Sequence, residues 1–165
     1  MNLILIGYRG TGKSSVAGIL GEKLGKKVIS VDEEIVKKIG MTISAFVEKN
    51  GWEKFRTVET NVLKNAITKK KVIIDCGGGI IEKDENFPLL KKGKVIWCTA
   101  DVETIVQRIK DSKDRPSLTG KSFTEEVEEV LERRNPKYRR AADIIIKTDH
   151  LSVQQQSREI IKKIK

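Results

Sequence analysis

Short apolar runs alternate along this chain with longer stretches in which apolar residues recur every three or four positions. The runs are Leu3–Ile6, Val28–Val31, Val72–Ile74, Val95–Cys98 and Asp143–Ile146. Runs this short and continuous read as strands buried on both faces. Their separation by helical periodicity is the pattern of a parallel sheet covered by helices on both sides. The pattern predicts five strands, with helices over about Lys13–Leu24, Asp32–Ile39, Thr42–Ala66, Asp84–Leu90, Val102–Lys110, Thr124–Ala141 and Ser152–Ile164. In the sixth of these most positions are charged, and Val127, Val130 and Leu131 form the inward face. No internal repeat, linker or low-complexity stretch interrupts the order, so residues 1–165 read as one domain, long enough to bury a core without staples.

Composition narrows the class. Hydrophobic residues make up 38% and charged residues 34% of the chain, which describes a globular protein with an unusually charged surface. A formal net charge of +10 fits either nucleic-acid binding or a lysine-rich surface that steers small anions such as ATP. The lysines are scattered and no aromatic series runs among them, which favours the small anion and argues against nucleic acid. Cys76 and Cys98 each close an apolar run and read as packed thiols in a reducing compartment rather than a bridge or a metal pair. Met1-Asn2-Leu3 leads straight into a strand without a basic region or cleavage site, and no apolar run reaches membrane-spanning length. The expectation is a cytoplasmic protein without membrane contact and, lacking a heptad seam or apolar stripe, a monomer. His150, the one histidine, has no carboxylate or hydroxyl arranged around it and reads as a loop residue.

The chemistry begins directly after the first strand. Gly7-Tyr8-Arg9-Gly10-Thr11-Gly12-Lys13-Ser14 fits G-x-x-x-x-G-K-[ST] in full. Gly7, Gly10 and Gly12 permit backbone angles that a Cβ would forbid, so successive N–H groups can turn inward around a phosphate. The helix that follows points its N-terminal partial charge at the same place. Lys13 adds a full charge at the β/γ-phosphates, and the Ser14 hydroxyl is placed to ligate Mg²⁺. Strand, loop and helix together identify a nucleotide phosphate-binding loop.

Further candidates sit where strands end, since ligands of open α/β sheets lie outside the carboxyl ends of the strands. Asp32 closes the second strand and is either aimed at the site or an N-cap of the next helix, two compatible readings. Phe55-Arg56 interrupts a long helical region. A guanidinium beside an aromatic ring suits a planar carboxylate, although such an arginine alone is more often a surface ion-pair residue. Val72-Ile73-Ile74-Asp75 is a buried strand ending in an acid, the usual source of a second carboxylate on the Mg²⁺ side. Gly77-Gly78-Gly79 then lets backbone approach a ligand closely. Residues 111–122 are polar and contain Arg115, Pro116 and Gly120, the composition of a mobile flap whose Arg115 enters on closure. Arg108 is placed to stack on a base or touch phosphate, or else belongs to a solvated helix face.

The set Gly7–Ser14, Asp32, Phe55-Arg56, Gly77-Gly78-Gly79, Arg115-Pro116 and Arg134-x-Pro136-x-Tyr138, in this order and spacing, resembles the shikimate kinase family over nearly the whole chain. The resemblance implies an α/β fold: a three-layer α/β/α P-loop kinase with a five-stranded parallel sheet in order 2-3-1-4-5 and a lid at about 111–122. It implies transfer of the γ-phosphoryl of ATP, the co-substrate, to the 3-hydroxyl of shikimate, with Mg²⁺ as cofactor. Gly10, Thr11, Gly12, Lys13, Ser14, Ser15, Arg108 and Arg115 would serve ATP, with Lys13, Asp32 and Arg115 catalytic. Asp32, Arg56, Gly77, Gly78, Gly79 and Arg134 would hold shikimate, much of this within a substrate-binding region at about 32–66. One position departs from the resemblance: where the family usually carries an Mg²⁺-associated Asp, this chain has Ser30. A hydroxyl cannot supply that charge, and Asp75 is the acid placed to compensate, through water.

Rival readings are weaker on the residues. A nucleoside-monophosphate kinase needs a base pocket on the acceptor side, where this chain offers Asp32 and two arginines. A gluconate-type kinase shares the loop but not the context of Arg56 and Gly77–Gly79. Asp75-x-x-Gly78 matches the short D-x-x-G box of GTP switches, but no N-K-x-D motif accompanies it. A nucleic-acid module is suggested by net charge alone.

Overall fold

In the computed structural model, residues 1–110 and 122–165 are described. The expected lid, with Arg115, therefore lies outside the described residues apart from Ser122. Five strands form one parallel sheet: β1 Leu3–Ile6, β2 Val28–Ser30, β3 Ile73–Asp75, β4 Lys94–Thr99 and β5 Ile144–Lys147. The order is β2-β3-β1-β4-β5, as expected. The described helices are α1 Lys13–Leu24, α2 Val31–Ile39, α3 Ile43–Asn50, α4 Trp52–Thr68, α5 Asn86–Leu90, α6 Val102–Ile109, α7 Phe123–Ala141 and α8 Val153–Ile164.

The alternation of side chains along each strand separates two cores. Ile4, Ile6, Ile74, Val95 and Trp97 face a cluster built from α2 to α5 and α7, including Phe55, Leu63 and Tyr138. Leu3, Leu5, Ile73, Ile96 and Cys98 face α1 and α8 through Val16, Ala17, Leu20 and Ile160. Only the edge strand β5 alternates buried with exposed, and its Ile145 stands 39% exposed. Val127, Val130 and Leu131 face inward as the pattern requires, packing with Tyr8, Ile105 and Ile109 in a smaller third cluster. Cys76 and Cys98 are both buried free thiols.

Two local readings need correction. The helix expected over Thr42–Ala66 is two helices, broken at Gly51, whose φ of 86° lies where a side chain is strained. Phe55 and Arg56 therefore interrupt nothing; they sit in the second turn of α4. Asp32 is not the cap of α2. That role belongs to Ser30, whose hydroxyl accepts from the Glu33 N–H at 3.3 Å, leaving Asp32 in the first turn. Beyond Gly77, Gly78–Ile81 winds into one buried turn of 3-10 helix.

That turn is fastened from α7. Tyr138 is fully buried, stacks on Trp97 with ring centroids 5.7 Å apart, and donates its hydroxyl to the Gly78 carbonyl at 2.5 Å. Burial pushes its phenol up to about 12, so the proton needed for this bond stays in place. Replacing Tyr138→Phe strands a buried carbonyl, and a loss of about 1–3 kcal/mol is expected. Urea denaturation with an unchanged slope measures it; unaltered stability would mean that the Gly78 carbonyl has another donor.

Candidate active site

The phosphate loop joins β1 to α1 with Gly7, Gly10 and Gly12 at φ of 141°, 81° and 85°. The Tyr8 carbonyl gathers it, accepting from Thr11 Oγ1 at 2.7 Å and from Lys13 Nζ at 3.2 Å. Gly12 caps α1 without a side chain, so the first-turn N–H groups face the loop with no side-chain acceptor. Such a helix start favours an anion. Arg108 is exposed on α6 and lines the cavity described below. It ties the loop to the end of β5, donating to the Gly10 carbonyl at 3.0 Å and to Thr148 Oγ1 at 3.2 Å.

Sheet register brings the acids in. β3 lies between β1 and β2, and Ser30 pairs with Asp75 across the β2–β3 ladder. Asp75 is buried and accepts from the Ser14 hydroxyl at 2.6 Å. Burial raises the pKa of its carboxyl; Lys13 and Ser14 pull it back, while Asp32 and Glu33 add to the rise. A cavity of about 450 Å³ is lined by Lys13, Ser14, Ser15, Asp32, Asp75 and Gly77, with Gly10, Gly12, Gly78, Arg9 and Arg108 around them. A second hollow of about 480 Å³, between α2 and α4 at the open edge of β2, is lined largely by lysines and polar groups; it reaches Ser30 but none of the phosphate-loop, glycine-turn or arginine candidates. The first is the one with convergent chemistry.

Arg56 and Arg134 pack against the glycine turn. A Cβ on Gly79 would overlap the Arg56 guanidinium, and one on Gly78 would stand 3.3 Å from Arg134 Nη1 and 3.5 Å from both Arg9 N and Gly7 O. The turn is thus a surface of bare backbone against which the phosphate loop and two arginines pack. Both are buried, 7% and 3% exposed, which removes Arg56 from the ordinary surface ion pairs. Arg56 pairs with Glu59 at 2.9 Å and lies 5.1 Å from the centre of the Trp52 ring; Arg134 lies 5.8 Å from that of Tyr8.

The expected residues therefore come together, Arg115 excepted as outside the described residues. Sequence reasoning missed Glu59, Glu82, Trp52 and Thr148. The spacing of Glu59, three residues beyond Arg56 on one helix, was a usable signal. Thr148 and Glu82 reach their arginines only through the fold, the latter 3.5 Å from Arg134 Nε.

A family model described as shikimate kinase matches residues 9–165. The chain is 39% identical to a shikimate kinase of Thermodesulfovibrio yellowstonii over 98% of this chain and 93% of the relative. Among solved structures, the shikimate kinase of Acinetobacter baumannii in complex with shikimate superposes with a TM-score of 0.95 at 34% identity, covering 99% of this chain and 92% of that one. The shikimate kinase of Aquifex aeolicus superposes at 0.87 with 33% identity, covering 99% and 96%.

The Arg56–Glu59 pair generates a stability test. Removing one partner of a buried pair leaves the other charge uncompensated, at a cost of about 3–5 kcal/mol. Glu59→Ala is expected to lose that much in chemical denaturation, and the double replacement with Arg56→Ala to recover part of it. Strict additivity of the two would show that the charges do not depend on each other.

Proposed function

The chain belongs to the shikimate kinase family, and from that premise we propose how its own residues carry the reaction. The enzyme is an ATP-dependent phosphotransferase that phosphorylates the 3-hydroxyl of shikimate, giving shikimate 3-phosphate and ADP on the route to chorismate and the aromatic amino acids. The bond from the γ-phosphorus to the ADP oxygen breaks, and one to the 3-oxygen forms. The hydroxyl proton leaves. With little covalent work for the protein, catalysis rests on positioning and on neutralising charge.

The phosphate loop and the start of α1 hold the β- and γ-phosphates, with Lys13 placing its charge against them. Thr11, Ser14 and Ser15 complete this ATP side. Arg108 supports the loop through the Gly10 carbonyl and takes the adenine side. Asp32, on the first turn of α2 within the same cavity, orients the attacking hydroxyl and accepts its proton. Arg56 and Arg134 hold the carboxylate, and the backbone of Gly77–Gly79 closes against the ring. Arg115 is assigned by its position in the sequence to the closing flap, where it neutralises the transferring phosphoryl.

The residues present suit Mg²⁺. The Ser14 hydroxyl and the Asp75 carboxylate, 2.6 Å apart at the loop, are the hard oxygen donors such an ion takes, and they would hold it directly and through water. When bound, the ion neutralises charge on the phosphates. Ser30, engaged in capping α2, contributes no charge, and Asp75 supplies the carboxylate from the neighbouring strand. A monomer is supported by the few large hydrophobic side chains exposed among the described residues: Met1, Val36 and Ile145. Two buried free thiols suit the cytoplasm.

The observation that carries this reading is the convergence of two buried arginines on bare backbone beside the phosphate cavity. Coupled ADP release is expected to require shikimate, and Arg56→Ala is expected to lower kcat/KM for shikimate about a hundredfold or more, as for a lost charge-assisted pair, with nucleotide affinity retained. Turnover indifferent to shikimate would overturn the assignment. Asp75→Asn is expected to raise the Mg²⁺ concentration for half-maximal turnover several-fold; an unchanged Mg²⁺ dependence would remove Asp75 from the metal's surroundings.

A further inference from the structure

Glu82 lies outside every motif of the sequence, directly after the Gly78–Ile81 turn. Its carboxylate faces α7. Arg133 Nη2 stands 3.0 Å from Oε2, and Arg134 Nε and Lys137 Nζ stand 3.5 and 3.8 Å from Oε1. Glu82 is half-buried; burial alone would raise its pKa, but Arg134, Arg133, Lys137 and, more distantly, Arg56 together hold it below the usual carboxylate range.

The contact with Arg134 differs from the other two. Arg133 and Lys137 are substantially exposed, so their pairing with Glu82 is screened and weak. The Arg134 side chain is only 4% exposed, and its Nη1 edge faces Gly78 while its Nε edge faces Glu82. Among the described residues, neither Arg134 Nε nor Glu82 Oε1 has a hydrogen-bond partner, and both atoms are closed to water. A buried N–H and a buried carboxylate oxygen, 3.5 Å apart and otherwise unmet, leave each as the natural partner of the other after a small shift of the guanidinium.

We infer that Glu82 is a positioning residue for the acceptor's carboxylate: it holds the Nε edge of Arg134, so that the Nη edge stays turned towards Gly78 and the bound substrate. The inference rests on the reading of Arg134 as a shikimate carboxylate ligand. It pairs Arg134 with Glu82 as Arg56 is paired with Glu59. Each arginine that meets the substrate's carboxylate is then oriented by a glutamate of the protein's own. The substrate supplies a second carboxylate to a guanidinium already fixed in plane, and less freedom is lost on binding.

Steady-state kinetics on Glu82→Ala and Glu82→Gln test this. Glu82→Ala is expected to raise KM for shikimate about tenfold, about 1.4 kcal/mol, with kcat and KM for ATP within about twofold. Glu82→Gln, which keeps the volume and an acceptor oxygen, should fall between it and the wild type. The preference for shikimate over its carboxamide should shrink in Glu82→Ala, which a general loss of structure would not produce. An unchanged KM for shikimate overturns the inference. A lowered one does too, because Glu82 would then be competing with the substrate's carboxylate. If Glu82→Ala does not fold, the Glu82→Gln result decides on the same terms. Shikimate-independent turnover in the wild type would instead sink the assignment of function, so the two failures are distinct.

Discussion

The glycine turn after β3 has room for backbone and nothing else. Phosphate-loop backbone and the Arg134 guanidinium both stand against Gly78, while Arg56 fills the space a side chain at Gly79 would take. Tyr138 holds the turn from α7, and β3 delivers it beside β1 through the sheet register. In the proposed roles, the phosphoryl donor and the acceptor carboxylate therefore share one wall. Any displacement of that wall moves both, and in a reaction that depends on alignment an error of about an ångström is costly. The fold makes the wall stiff by burying it completely.

Charge inside this region is balanced rather than piled up. The whole chain carries +10, yet Arg56 is matched by Glu59, and Arg134 is faced by Glu82. Burying a lone guanidinium is prohibitive and burying a matched pair is roughly neutral. This explains why cations that must meet an anion can be sequestered from water before the anion arrives. On the nucleotide side the balance runs the other way. Burial raises the proton affinity of the Asp75 carboxyl, Asp32 and Glu33 add to the rise, and Lys13 and Ser14 offset it only in part. In the proposed roles, this balance suits a cation at Asp75 and an anion at the two arginines.

The sequence carried the framework almost whole. Continuous apolar runs located all five strands to within a residue or two, because strands buried on both faces cannot hide polar positions. The phosphate loop was legible because each fixed residue answers a separate physical need. The failures share a cause. Periodicity ran through Gly51 because the residues on both sides have helical patterns, and only a backbone angle of 86° ends the one helix and starts the next. Gly77–Gly79 marked a close approach without saying what approaches, because that depends on Arg56 arriving from another element. Glu59 was within reach, three residues from its partner on one helix. Glu82 was not, since 52 positions separate it from Arg134 and no local pattern connects them.

The exchange of an acid for Ser30 shows why register matters more than sequence distance. Ser30 and Asp75 are 45 positions apart, yet they are paired residues on adjacent parallel strands, both at the carboxyl edge beside the loop. Neighbouring strands of a sheet lie about 4.8 Å apart, and an ion held through water reaches that far. A carboxylate is therefore free to change strands without leaving the ion's surroundings, provided the vacated position still performs its structural duty. Serine does so, as its hydroxyl caps α2. It also leaves Asp32, two residues on in the first turn of α2, lining the cavity, so that in the proposed roles metal support sits at the end of β3 and substrate orientation at the start of α2.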